Sequence, residues 1–175
     1  MPRIPFVPAD IAEPREIVDA VRKRRGGTLL DLDRMLLHSP EFTAGWNAHL
    51  GAVRTKLTVP GKLRELAMCG VAAWNGADYE YVHHAPLLIK EGGTQAQVDA
   101  LRDLARAARD EKLFDAKERA VLQLTLEMTR DVKVADATFE AVRAIGGDRL
   151  AIEIVAVIAT YNMVSRFLVA LKVEP

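Results

Sequence analysis

The sequence predicts an all-α protein of eight or nine helices, read as one domain over residues 1–175. Three observations predict it. Apolar residues recur at helical spacing in one segment after another. The breaks between segments are short and hold glycine, proline or a side chain suited to capping. No run alternates apolar and polar residues between hairpin signals, so no sheet is expected. A composition of 50% hydrophobic and 27% charged residues is that of a globular chain, with enough apolar surface for the helices to share a core.

The elements follow in order along the chain. Pro2, Pro5 and Pro8 mark an extended arm over residues 1–12, expected to lie on its own core or on a neighbour. Residues 13–24 place Ile17, Ala20 and Val21 at helical spacing and stop at Gly26-Gly27. A short helix over 29–37 closes at Ser39-Pro40, and the next runs over 40–57 with Ser39 as N-cap and Pro40 in its first turn. Val59-Pro60-Gly61 opens a central helix that ends at Asn75 or Gly76. Asp78 is expected to cap a helix to Lys90, ended by Glu91-Gly92-Gly93. Thr94 caps the next, with Gln97 three residues on as in a capping box. Asp115 starts a helix through Arg130, Asp136 another through Arg143, and Asp148 the long final one.

Charge and cysteine content exclude several classes. Lys plus Arg and Asp plus Glu both number 24, so no net field recruits nucleic acid or an acidic membrane. The one basic run, Arg22-Lys23-Arg24-Arg25, sits at a helix end where cations suit the macrodipole, and reads as a solvated terminus. Cys69 is the single cysteine, which rules out an intrachain disulfide. The N-terminus has no charged region followed by an apolar run, and a cytoplasmic location is expected. Residues 150–171 are apolar and long enough to span a bilayer, but Glu153, Asn162, Ser165 and Arg166 lie within them, which favours a core helix.

The central helix carries no charge from Leu66 to Ala77, and it mixes small residues (Ala67, Gly70, Ala72, Ala73, Gly76) with bulkier ones. A helix apolar on every face must be surrounded by protein. Glu65 stands at the edge of that stretch, so its carboxylate either meets a cation or carries a raised pKa. On the following helix Glu80, His83 and His84 are spaced i, i+3 and i+4 and can share one face. A carboxylate beside an imidazole fixes its tautomer and raises its basicity, the arrangement of general acid–base chemistry. The same residues also suit a helix start with two partly exposed histidines. Glu-x-x-His is half of a di-iron carboxylate pattern, but His38 and His49 have no glutamate three residues before them, so no metal is expected. In the final helix Tyr161, Asn162 and Arg166 need partners where buried, either around a pocket or across a subunit interface.

Arg64-Glu65-Leu66-Ala67 through Ala77-Asp78-Tyr79-Glu80-Tyr81-Val82-His83-His84 resembles the core of the carboxymuconolactone decarboxylase-like superfamily. Its alkylhydroperoxidase D proteins read Glu, eleven residues, Cys, two residues, Cys, three residues, His. Laid on this chain, Glu falls at Glu65 and His at His84, while the cysteine positions hold Ala77 and Glu80. Likeness extends to Arg24-Arg25-Gly26-Gly27, Leu32-Asp33-Arg34-Met35-Leu36-Leu37-His38-Ser39-Pro40, Tyr161-Asn162-Met163 and Arg166-Phe167-Leu168, around a superfamily core over residues 40–125. The resemblance implies an alkylhydroperoxidase D-like helical bundle and a homo-oligomer, a dimer, trimer or hexamer.

Thiolate attack on peroxide needs a thiol at those two positions, so dithiol peroxidase chemistry is not available. The decarboxylase branch lacks the cysteine pair too. It implies a cofactor-independent lyase, or a related acid–base enzyme, acting on a small carboxylated lactone or ring compound. Within that resemblance His84 is the proton donor, Glu80 orients it, Glu65 is a second acid–base group and His83 is the fallback donor. Arg54, Arg64 and Arg166 are the carboxylate binders, with Tyr161 and Asn162 lining the site. An isomerisation, hydration or hydrolysis of another small carbonyl compound fits the same pair. Two alternatives stand beside these: a peroxidase using Cys69 alone, and a small-molecule binding protein without catalysis.

Overall fold

The computed structural model describes residues 1–175 as nine helices without a strand. They are α1 (Arg15–Arg25), α2 (Asp31–Leu36), α3 (Pro40–Thr55), α4 (Gly61–Asn75), α5 (Asp78–Lys90), α6 (Gln95–Ala100), α7 (Leu104–Ala107), α8 (Ala116–Arg130) and α9 (Asp136–Leu171). The chain divides into two compact units, one of Met1–Leu57 with Leu171–Glu174 and one of Thr58–Ala170.

Most boundaries follow the residues that signalled them. Thr94 Oγ1 accepts from Gln97 N at 3.2 Å and Gln97 Oε1 accepts from Thr94 N at 3.2 Å, the reciprocal capping box the sequence implies. Asp115 and Glu118 form a second such box at the start of α8. The long α9 breaks where Gly146 and Gly147 leave helical geometry, Gly147 at φ +80°, so Asp136 and Asp148 each begin a helical stretch as expected. Two caps differ. Asp78 is the first helical residue and Ala77 the N-cap; the Asp78 side chain pairs instead with Arg102 at 2.9 Å. Ser39 holds the N-cap position of α3, but its side chain makes no capping bond. The single turn α7, started by Asp103 accepting from Arg106 N, is too short to show a periodicity in sequence.

In the first unit α1 buries Val18 and Val21 and packs against α3. The N-terminal arm is held down by carbonyl contacts: Arg22 donates to Ala9 O and Ile11 O, Arg34 donates to Val7 O, and His38 Nε2 meets Pro5 O at 2.7 Å. Arg24 and Arg25 pair with the buried Asp33. The basic run is therefore not a solvated helix end. Three of its four cations hold the arm or neutralise a carboxylate that could not otherwise be buried.

In the second unit α4 packs against α5, α7 and α8. It buries Leu63 and every residue from Glu65 to Ala72, as a helix without a polar face must. A Cβ added at Gly70 would meet Leu104 Cδ1 at 3.0 Å and Thr125 Cγ2 at 3.3 Å, so glycine sets how closely α7 and α8 approach. A larger residue there forces a repacking that typically costs about 1–3 kcal/mol. Leu66, Met68, Leu122 and Leu126 are fully enclosed, each worth about 1.5–3 kcal/mol of apolar transfer. Glu118, from α8, receives Lys62 of α4 at 2.6 Å and Gln97 of α6 at 3.1 Å, which ties three helices at one buried carboxylate. The apolar α9 has the length and composition of a membrane span. Its break at Gly146–Gly147 and its side-chain bonds to α4, α5 and α8 are those of a core helix.

Candidate active site

Three helices of the second unit each contribute two side chains one turn apart: Glu65 and Cys69 on α4, Glu80 and His84 on α5, Tyr161 and Ser165 on α9. The pairs meet in antiparallel order. His84 Nδ1 donates to Glu65 Oε2 at 2.6 Å, and its ring meets the Tyr161 ring edge-on, with centroids 4.9 Å apart and planes at 87°. One turn away, Ser165 Oγ donates to Glu80 Oε2 at 3.0 Å. Glu65 and Glu80 are both 2% exposed and His84 is 5% exposed.

The two carboxyls respond oppositely to the same burial. Burial alone would raise the Glu65 pKa. The hydrogen bond and charge of His84, then the charge and hydrogen bond of Arg64 (Nε 3.3 Å from Oε1), outweigh it and hold Glu65 below its ordinary value. Burial pushes Glu80 well above the usual carboxylate range, and the Ser165 bond opposes this without reversing it. Glu80 Oε1 is buried with no hydrogen-bond partner. The arrangement is thus a carboxyl whose ionised form is favoured, holding an imidazole by Nδ1, beside a second carboxyl in which burial favours the neutral form. The bond to Glu65 takes up Nδ1, which distinguishes it from Nε2 on the same ring.

Glu80 is expected to orient His84, but the carboxylate that the imidazole bonds is Glu65. On one helix an i, i+4 spacing puts Glu80 and His84 on the same face, but the imidazole turns across to α4, where the buried carboxylate gains a hydrogen-bonded partner. His83 is not brought to the cluster. It is exposed, with Nδ1 2.7 Å from Tyr79 O and its ring 4.3 Å from that of Tyr79. Cys69 is fully buried, and its thiol is pushed up first by burial and then by the charge of Glu65. A thiol so placed supplies almost no thiolate at neutral pH.

Of the expected carboxylate binders, Arg64 is half-buried beside Glu65, with Glu91 3.9 Å away. Arg54 lies near the end of α3 in the first unit. Arg166 is exposed and donates to Asn162 O at 2.9 Å and Asn162 Oδ1 at 2.5 Å. Asn162 accepts from Asn75 Nδ2 at 3.1 Å and donates to Thr129 Oγ1 at 3.0 Å, so it joins α9 to α4 and α8 within one chain. Ser165 was not among the expected site residues. Its position one turn beyond Tyr161, as a small hydroxyl in an apolar helix, is the signal that marks it. No group of three or more His, Cys, Asp or Glu side chains is arranged to hold a metal ion.

Residues 40–127 match the Carboxymuconolactone decarboxylase family, and the chain belongs to it. Among solved structures, an uncharacterized peroxidase-related protein with the alkylhydroperoxidase AhpD core, from Ralstonia eutropha JMP134, superposes with a TM-score of 0.82 at 21% identity, covering 99% of this chain and 92% of that one. A second uncharacterized peroxidase-related protein, from Silicibacter sp. TM1040, gives a TM-score of 0.78 at 20% identity over 97% of this chain and 88% of that one. The debrominase Bmp8, in complex with 2,3,4-tribromopyrrole, gives 0.76 at 16% identity over 98% and 92%. At these identities the likeness defines the fold, an alkylhydroperoxidase D-like helical bundle. No curated protein sequence matches the chain.

Proposed function

We propose that this protein is a cofactor-independent acid–base enzyme, a lyase acting on a small carboxylated lactone or related ring compound. The observation that carries the reading is the buried hydrogen bond between His84 Nδ1 and the Glu65 carboxylate, set one turn from a second buried carboxyl. The family includes decarboxylases by name, and Bmp8 of the same fold holds a small ring compound.

Loss of carbon dioxide from a carboxylated lactone breaks a carbon–carbon bond, and its electron pair moves into the lactone carbonyl as a dienolate. The protein must then bind the carboxylates, stabilise the developing oxyanion and return a proton to carbon. Protonated His84 delivers that proton from Nε2 while ionised Glu65 stabilises the imidazolium through Nδ1. Arg64, the cation nearest this pair, is the candidate for a substrate carboxylate. Cys69 takes no part, because a thiol held this firmly in its neutral form offers peroxide almost no nucleophile. Exposed Trp74, Val82, Ile89, Met163 and Val169 support the further proposal that copies of the chain associate.

The test is carbon dioxide release and ultraviolet loss of a carboxymuconolactone, without added metal or thiol, in wild type, His84→Ala and Glu80→Gln. Turnover that falls about 100-fold or more in His84→Ala is the expected result. Equal turnover in His84→Ala sinks the assignment of the donor, and no turnover in wild type removes this substrate class.

A further inference from the structure

Of the three tasks in that mechanism, the oxyanion has no group assigned to it, and Glu80 is the buried group not yet used. We infer that Glu80 serves as the oxyanion donor, a neutral carboxylic acid that presents a hydroxyl at Oε1 to the enolate oxygen of the bound substrate. This rests on the acid–base reading above.

The geometry distinguishes the two Glu80 oxygens. Oε2 accepts from Ser165 Oγ at 3.0 Å, so it plays the carbonyl oxygen of the acid. Oε1 is buried and unpartnered, and it is the oxygen left to carry the proton. A buried donor without an acceptor carries a standing cost, which a ligand that supplies the acceptor removes. Glu80 lies one turn from His84 on α5, and their partners Ser165 and Tyr161 lie one turn apart on α9, so acid and imidazole share one layer of side chains.

No group that faces Glu80 brings it a positive charge of its own. From α4 come Cys69, a fully buried thiol, and Glu65, whose pKa is held below its ordinary value. From α9 comes the uncharged Ser165, and His84 on the same helix is bonded to Glu65. No cation pairs with Glu80, and burial raises its pKa well beyond the ordinary carboxylate range. A neutral acid suits an anionic substrate for a simple reason: it donates a strong hydrogen bond to a developing oxyanion, where an ionised Glu80 would repel it. Ser165 is a positioning residue, fixing which oxygen bears the proton.

Two measurements test this without turnover. In the infrared difference spectrum between wild type and Glu80→Gln at about pH 7, a neutral carboxyl C=O band should appear in wild type and vanish in the variant. Ser165→Ala should keep that band and shift its frequency, because the carbonyl oxygen loses its donor. The second probe is 4-nitrophenol, added at a pH where it is mostly protonated in solution. Wild type should bind it with the visible absorption of its phenolate, and Glu80→Gln should weaken binding about tenfold or more. A carboxylate band for Glu80, an unshifted band in Ser165→Ala, absent phenolate binding, or equal affinity in Glu80→Gln each overturns the assignment. Failure of the lactone to turn over, with both results intact, counts against the substrate and leaves Glu80 in this role.

Discussion

Glu65 and Glu80 are one residue type at one depth, 2% exposed, on helices packed against each other, yet their pKa values shift in opposite directions. The layer around Glu65 supplies an imidazole donor at 2.6 Å and a guanidinium at 3.3 Å. The layer around Glu80 supplies one hydroxyl, and a thiol that resists ionising. Burial raises both carboxyls; what separates them is whether the partners reached across the helix interface outweigh it, as His84 and Arg64 do at Glu65 and Ser165 does not at Glu80. Asp33 in the first unit makes the same point without a site. It is as buried as either glutamate, and Arg24 and Arg25 neutralise it. A carboxyl left without such a cation stands out as a candidate for chemistry.

The comparison is broken most directly at His84. Removing the imidazole leaves Glu65 buried with only Arg64 near it, so His84→Ala is expected to destabilise the fold by about 3 kcal/mol in urea unfolding. Adding Glu65→Gln to that variant should restore part of the loss. A loss under about 1 kcal/mol would mean that the Glu65–His84 bond is solvated and the contrast with Glu80 is overstated.

The pH dependence of stability separates the two carboxyls by sign. Glu80 has its pKa raised in the fold, so its contribution is complete below the ordinary value of 4.5 and is lost as pH rises toward the folded value. Glu65 has its pKa lowered, so its contribution is present above 4.5 and is lost as pH falls through the folded value. Each slope is at most about 1.4 kcal/mol per pH unit. Glu80→Gln should flatten the fall on the alkaline side of 4.5, and Glu65→Gln the fall on the acid side. Flattening on the same side in both variants would erase the distinction.

Smaller effects sharpen the contrast by leaving it alone. Asn162→Ala removes the link from α9 to α4 and α8 and is expected to cost about 1 kcal/mol. Arg166→Ala, at an exposed site, should stay within about 0.5 kcal/mol. Neither should alter the two pH slopes. A changed slope in Arg166→Ala would make that cation part of the buried network.

Much of the architecture was legible in the chain. Each helix start with a capping box, at Thr94 and Asp115, lay where side chain and backbone are joined within four residues. The break before Asp148 was marked by two adjacent glycines, and the enclosure of α4 by its missing polar face. Glu65, Glu80 and His84 stood out in the chain by residue type and spacing. Their pairing was not, because helical periodicity reports which residues share a face of one helix and says nothing of what a neighbouring helix presents.

By itself, then, the sequence determined the all-α class, most helix boundaries, the family pattern around Glu65 and His84, and the absence of a cysteine pair for thiol chemistry. These are local or compositional, set by backbone preference, apolar period and residue identity. Tertiary structure alone decided that Glu65 rather than Glu80 holds His84, that His83 faces outward, that Ser165 reaches Glu80, and that Arg24 and Arg25 neutralise Asp33. Charge state follows from those contacts. A carboxyl's pKa depends on the donors and dielectric within a few ångströms, and packing brings residues such as Glu80 and Ser165 together from distant parts of the chain.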